Sequence, residues 1–187
     1  MQKKMVDIHC HLIPGIDDGA KDLQESLRMA CMAVQDGIGT VVVTPHQLGQ
    51  FQHNTGDGIR AATRSLQAEL TKANIPLRVL PGADVRIEEA MIRKLISGEV
   101  LSLADHRRHV LLELPHELYF PLEPILKQLE SKGMVGILSH PERNQGILRQ
   151  PKLLPKLVDI GCLMQLTSGS IMGSMGPACA RNYQTGC

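Results

Sequence analysis

His9 and His11 stand two residues apart in the run Val6-Asp7-Ile8-His9-Cys10-His11-Leu12. Apolar residues alternate with them, and in a strand residues i and i+2 point the same way. Both imidazoles would leave one face, near the strand's end, close enough to grip one cation. Ile13-Pro14-Gly15 breaks the strand, and Asp17-Asp18-Gly19 follows in a loop. Neutral imidazole and carboxylate are ordinary ligands of zinc, manganese and iron. A bare His-x-His is a weak signal. The Asp-Asp-Gly turn close behind it favours a metal site over two incidental histidines.

Further histidines and carboxylates recur at the ends of apolar runs. His46 follows Thr40-Val41-Val42-Val43 and Thr44-Pro45; Asp84 follows Leu77-Arg78-Val79-Leu80 and Pro81-Gly82-Ala83. Glu113 sits inside His109–Leu114, where a carboxylate is costly to bury unless it is paired or ligates a metal. His140 follows Val135-Gly136-Ile137-Leu138 and Ser139. Alone, His46 would pass for a loop histidine. Five successive strands each delivering a histidine or carboxylate at the same end are hard to assign to chance. His53, His106 and His109 lie in polar or basic surroundings and are expected at the surface, as is His116 beside Pro115.

These residues need a scaffold, and the pattern supplies one. Strands are expected over Met5–His11, Thr40–Val43, Leu77–Leu80, His109–Leu114, Val135–Leu138 and Cys162–Leu166. Between them, helical spacing predicts helices from Asp22 to before Gly37, Asp57–Ala73, Glu88–Ile96, Pro121–Lys132 and Pro151–Ile160. Gln47–Gly58 is polar and reads as a loop that could cover a site. The β-branched run at Thr40–Val43 suits a strand buried on both faces. Strand–helix alternation argues a parallel sheet. Repeated units without a Gly-rich nucleotide fingerprint favour a barrel, whose sites gather at the strands' C-terminal ends.

Bulk properties narrow the function. The chain has 187 residues, which suits one domain with a real core, and a formal charge of +1. Trp is absent, and Phe and Tyr number two each, so nucleic-acid stacking has little support. No apolar run reaches membrane-spanning length, and MQKKMVDIHC holds no secretory h-region. Cys10, Cys31, Cys162, Cys179 and Cys187 are an odd number at irregular spacings, which fits reduced cytosolic thiols. None has an arginine six positions on, so a cysteine-based phosphatase loop is missing.

With these residues assembled, the chain resembles PHP-domain proteins, and most closely the CpsB/CapC-like, metal-dependent tyrosine-protein phosphatases of bacterial capsule and exopolysaccharide operons. The matching motifs are DIHCHLIPGIDDG, VVVTPH, GAD where the family has Gly-x-Glu, the LLELP strand end and GILSHPERN, between about Met5 and Gly173. The resemblance implies an α/β fold, a distorted seven-stranded (β/α) TIM-like barrel, with up to three divalent metals, manganese first and zinc, iron or cobalt as alternatives. It implies that His9 and His11 hold the first metal, Asp84 bridges to a second completed by Glu113 and His140, and Asp18 and His46 serve the third. Arg143 matches the arginine that binds the substrate phosphate, for which a bidentate fork is suited. Asp18 and His46 are the implied proton-handling groups, and no protein nucleophile is needed.

The implied substrate is phosphotyrosine on a protein, the cognate bacterial tyrosine kinase foremost, in the cytoplasm. Histidinol phosphate or a nucleotide is the alternative substrate for the same superfamily chemistry. Two departures stand out. Asp84 is one methylene shorter than the family's glutamate. From residue 174 the chain reads without helical periodicity and without the family's closing Asp-x-His. A PHP-type domain is thus expected over 1–173 as an incomplete barrel lacking its last strand and helix, with 174–187 an aberrant, disordered tail. An inactive, binding-only remnant is the rival reading.

Overall fold

The structure, a computed structural model, describes residues 4–173. The expected tail at 174–187 lies outside the described residues. The chain divides into two compact units, the first ending at Arg107 and the second beginning at Arg108.

In the first unit the elements run β1 (Met5–Cys10), α1 (Leu23–Gln35), β2 (Ile38–Val43), β3 (His46–Gln47), α2 (Gly56–Lys72), β4 (Arg78–Pro81), β5 (Asp84–Arg86) and α3 (Met91–Ser97). Strands β1, β2 and β4 form a parallel sheet in that order, and β3 pairs in parallel with β5. Asp22 caps α1 by accepting the Glu25 N–H at 2.8 Å, and Thr55 caps α2 through Gly58 N–H. The apolar stripe Ile59, Leu66 and Leu70 of α2 is buried, and so are Val41, Val42 and Val43 of β2. The continuous apolar run thus belongs to a strand enclosed on both faces, as expected.

The second unit runs β6 (His109–Glu113), α4 (Glu123–Ser131), β7 (Val135–Ser139), α5 (Gln145–Leu148), α6 (Leu153–Asp159), β8 (Leu163–Gln165) and α7 (Ser168–Ile171). Strands β6, β7 and β8 are parallel neighbours. Leu111, Leu112 and Leu138 are fully buried, as is Leu129 of α4, and Leu126 of α4 is nearly so. Gly136 permits this packing: a Cβ there would stand 2.7 Å from Leu126 Cδ2 and 2.9 Å from Leu112 Cδ1.

Helix–strand alternation and parallel pairing bear out the α/β class. Six expected strands become eight because two of them resume after a break. Pro45 has no N–H to donate, yet its carbonyl accepts the Asp84 N–H at 3.1 Å, and the ladder restarts as β3 with β5. His46 and Asp84 are therefore strand residues rather than loop residues, and they are direct register partners. The short helices α5 and α7 carry too few residues to show a period, which is why the apolar pattern gave no sign of them. No helix among the described residues is long and apolar enough to cross a membrane.

Candidate metal centre

The register of the first unit brings its candidate ligands level. Cys10 pairs with Val43 and Val43 with Pro81; three residues further along both chains, His46 pairs with Asp84. His9, His11, His46 and Asp84 therefore meet at the C-terminal ends of three parallel strands. Two groups of donors result, His9 with His11 and Asp84, and His11 with Asp18 and His46, each with ligand atoms within 4.8 Å of one another.

The distances are those of atoms arranged around something rather than bonded to each other. His9 Nε2 stands 3.4 Å from His11 Nε2 and 3.5 Å from Asp84 Oδ2. His46 Nε2 is 3.4 Å from Asp18 Oδ1, and its Nδ1 is 3.7 Å from Asp84 Oδ2. Donors that share a cation at about 2.1 Å lie about 3–3.5 Å apart. The Asp84 side chain is wholly enclosed, at 0% exposure, whereas Asp18 is 72% exposed. Three carboxylates, Asp17, Asp18 and Asp84, crowd three imidazoles, a negative excess that divalent cations would offset. The residues present thus fit a metal centre by donor type, spacing and charge.

Asp17 was not among the expected ligands, and it organises the others. Its side chain has no solvent exposure. Oδ2 accepts from His11 Nδ1 at 2.7 Å and from the His46 backbone N–H at 3.1 Å; Oδ1 accepts the Gly19 N–H at 3.0 Å. Burial pushes the Asp17 carboxyl up, but the His11 hydrogen bond and charge, with the two backbone N–H groups, outweigh it and hold the carboxyl below its ordinary value. Gly19 completes the turn, since any Cβ there would overlap the His11 carbonyl oxygen and Cβ.

Two more residues escaped the sequence reading. Asn54 Nδ2 donates to His46 O at 2.9 Å and Ile16 O at 3.1 Å. Gln47, buried, donates to Asn54 O and Glu99 O and accepts the Leu101 N–H. The polar loop expected over Gln47–Gly58 is tied down by these two amides, and Phe51 stacks on the His46 ring at 5.1 Å between centroids. A hydrophilic stretch gives no hint of which amides turn inward.

Cys10, between the two histidines, is a half-buried free thiol. Burial first, then Asp7 and Asp17, push its thiol up to about 12. Its N–H donates to Thr44 Oγ1 at 2.9 Å.

In the second unit Glu113 ends β6 and His140 follows β7. Both line a small cavity with Leu114, His116, Ser139 and Asn144. His140 has φ +33°, a left-handed conformation costly for a histidine and typical of functional turns. Its N–H donates to Gln165 O at 2.8 Å. Ser139 Oγ lies 3.4 Å from its Nε2. Glu142, in the same turn, is buried and its Oε1 accepts from Thr167 N–H and Oγ1, so this carboxylate braces β8's far end. Arg143 makes no ion pair among the described residues, and its Nε has no hydrogen-bond partner there. His53, His106, His109 and His116 are exposed, as expected.

Parallel strands delivering imidazoles and carboxylates to one end define an α/β protein with a candidate divalent-metal centre. Residues 5–185 match the family described as capsular polysaccharide synthesis, CpsB/CapC. The chain is 40% identical to the tyrosine-protein phosphatase YwqE of Bacillus subtilis over 174 residues, which cover 92% of this chain and 68% of YwqE. It is 28% identical to the putative tyrosine-protein phosphatase CapC of Staphylococcus aureus, over 92% of this chain and 68% of that protein. Among solved structures it matches one from a study of YwqE from Bacillus subtilis and CpsB from Streptococcus pneumoniae, described as unique metal-dependent tyrosine phosphatases. The TM-score is 0.92, with 38% identity, over 96% of this chain and 73% of that one. The chain belongs to the CpsB/CapC family.

Proposed function

We propose that this protein is a metal-dependent protein-tyrosine phosphatase of capsule or exopolysaccharide synthesis. The observation that carries the reading is the convergence of His9, His11, His46, Asp18 and Asp84 at the strand ends in a chain 40% identical to a tyrosine phosphatase. Residues 1–173 are the phosphatase domain, of the distorted (β/α)7 PHP type; parallel pairing with intervening helices supports that architecture. His9, His11 and Asp84 ligate one cation, and Asp18 with His46 another. Glu113 and His140 are further ligands, aided by the strained turn that aims His140. The metal is manganese, with zinc, iron and cobalt as substitutes.

Bound at His9, His11, Asp18, His46 and Asp84, divalent cations would supply positive charge for the phosphoryl oxygens and make water more acidic. Arg143, half-buried and with its Nε unpartnered among the described residues, binds the phosphate through its planar fork. Asp18, exposed beside His46, offers a carboxylate oxygen at the solvent side of the cluster to take a proton from attacking water. Asp84, enclosed, sets its Oδ2 against the rings of His9 and His46. Phenolate is a fair leaving group, so little protonation of the departing oxygen is needed. The substrate is phosphotyrosine on a cognate bacterial tyrosine kinase, met in the cytoplasm.

The test is hydrolysis of a phosphotyrosine peptide against histidinol phosphate and a nucleotide. Chelator should abolish turnover, and manganese should restore it. Preference for histidinol phosphate, or full activity in excess chelator, would refute the reading.

A further inference from the structure

His11 belongs to both donor groups, and a single imidazole cannot offer a lone pair from each nitrogen while neutral. Its Nε2 faces His9 Nε2 at 3.4 Å; its Nδ1 lies 3.6 Å from Asp18 Oδ1 and 2.7 Å from Asp17 Oδ2. We infer that Asp17 is a positioning residue that decides between them: it takes the Nδ1–H of His11 and so commits Nε2 to the ion shared with His9 and Asp84. This rests on the metal-centre reading above and adds to it the residue that sets which ligand goes where.

Three features support the assignment. The 2.7 Å contact is the shortest polar distance His11 makes, as a charge-assisted N–H···O⁻ bond should be. The carboxylate cannot swing away: its other bonds, to the Gly19 and His46 backbone N–H groups, hold both oxygens in place. Those same bonds join the Asp-Asp-Gly turn to the start of β3, so one enclosed side chain sets the ring of His11 and the backbone of His46 together. A carboxylate behind a ligating imidazole also raises its basicity. Asp18, exposed and 3.6 Å from Nδ1, is left to pair with His46. The consecutive aspartates therefore divide the work, one facing inward to orient and one facing outward to ligate.

Cadmium-113, which is diamagnetic, serves as the probe. In ¹⁵N-labelled wild-type protein loaded with ¹¹³Cd²⁺, His11 should show cadmium coupling at Nε2 and a proton on Nδ1, assigned by loss of those signals in His11→Gln. By titration calorimetry Asp17→Asn should bind cadmium about 10–100-fold more weakly. In that variant an amide NH2 would oppose either the Gly19 N–H or the His11 ring. Cadmium coupling at Nδ1 of wild-type His11, or an Asp17→Asn affinity within about twofold of wild type, overturns this inference and leaves the metal reading standing. Asp17 as a mere loop brace predicts that second result together with a lowered melting temperature. A wild-type chain that binds no cadmium overturns the metal reading and this inference with it. The wild-type spectrum reports the His11 tautomer whether or not Asp17→Asn folds.

Discussion

The strands of the first unit are interrupted where the chemistry gathers, and the main strands of the second are not. β2 and β4 stop at Val43 and Pro81, and β3 and β5 take up at His46 and Asp84. β6 and β7 run five residues each through four consecutive register pairs. In the first unit the interruptions release backbone N–H groups, and side chains of the site accept them: Asp17 takes that of His46, Thr44 that of Cys10. Fold and site there use the same hydrogen bonds. In the second unit a buried leucine layer sits within the strands, and the polar residues Glu113, His140 and Arg143 sit past it. Core and chemistry should be separable there and inseparable in the first unit.

The largest expected effect tests the inseparable half. Replacing His9 and His11 together by alanine should lower phosphotyrosine hydrolysis by at least about 10³-fold, since charge stabilisation by the ions is lost. Metal content, read by plasma spectrometry, should fall with it. The melting temperature should fall too, because the enclosed Asp17 carboxylate loses its imidazole donor. Retained activity would remove the site assignment. In the second unit, Leu138→Ala should cost about 2–5 kcal/mol in urea unfolding through its cavity, with activity per folded molecule unchanged below the transition. Lost metal at full folding would show that core and site are coupled there as well.

Arg143→Lys should then act on chemistry alone. A point charge replaces a bidentate fork, so KM should rise about tenfold while kcat and melting temperature hold. A drop in kcat with KM unchanged would place the guanidinium on the transition state rather than on bound phosphate.

The same contrast explains what the sequence made legible. Continuous apolar runs at Val41–Val43 and Val110–Leu112 announced their strands because burial on both faces leaves only one residue class. His9 and His11 announced a face because strand periodicity is strict. His46 and Asp84 are legible as candidates at strand ends but not as strand residues themselves, since a strand of two or three residues has no period to read. Asp17 was passed over because it and Asp18 are the same residue type, side by side. Only the turn closed by Gly19 sends one inward and the other out. Asn54 and Gln47 were hidden for a related reason: an amide that satisfies buried backbone groups looks, in sequence, like any polar loop residue.

The smallest predicted effect is the sharpest test of shared hydrogen bonds. Thr44 is fully buried, and its Oγ1 accepts the Cys10 N–H where β1 leaves the ladder. Thr44→Val keeps the shape and removes the acceptor. The orphaned N–H should cost about 1–2 kcal/mol by chemical denaturation. Cys10 lies between His9 and His11, so slack at its backbone should also loosen both rings and weaken cation binding several-fold. A conservative change at a residue that touches no metal would then lower stability and affinity together. If stability falls and affinity does not, the strand break is structural only, and the two units differ less than their hydrogen bonds suggest.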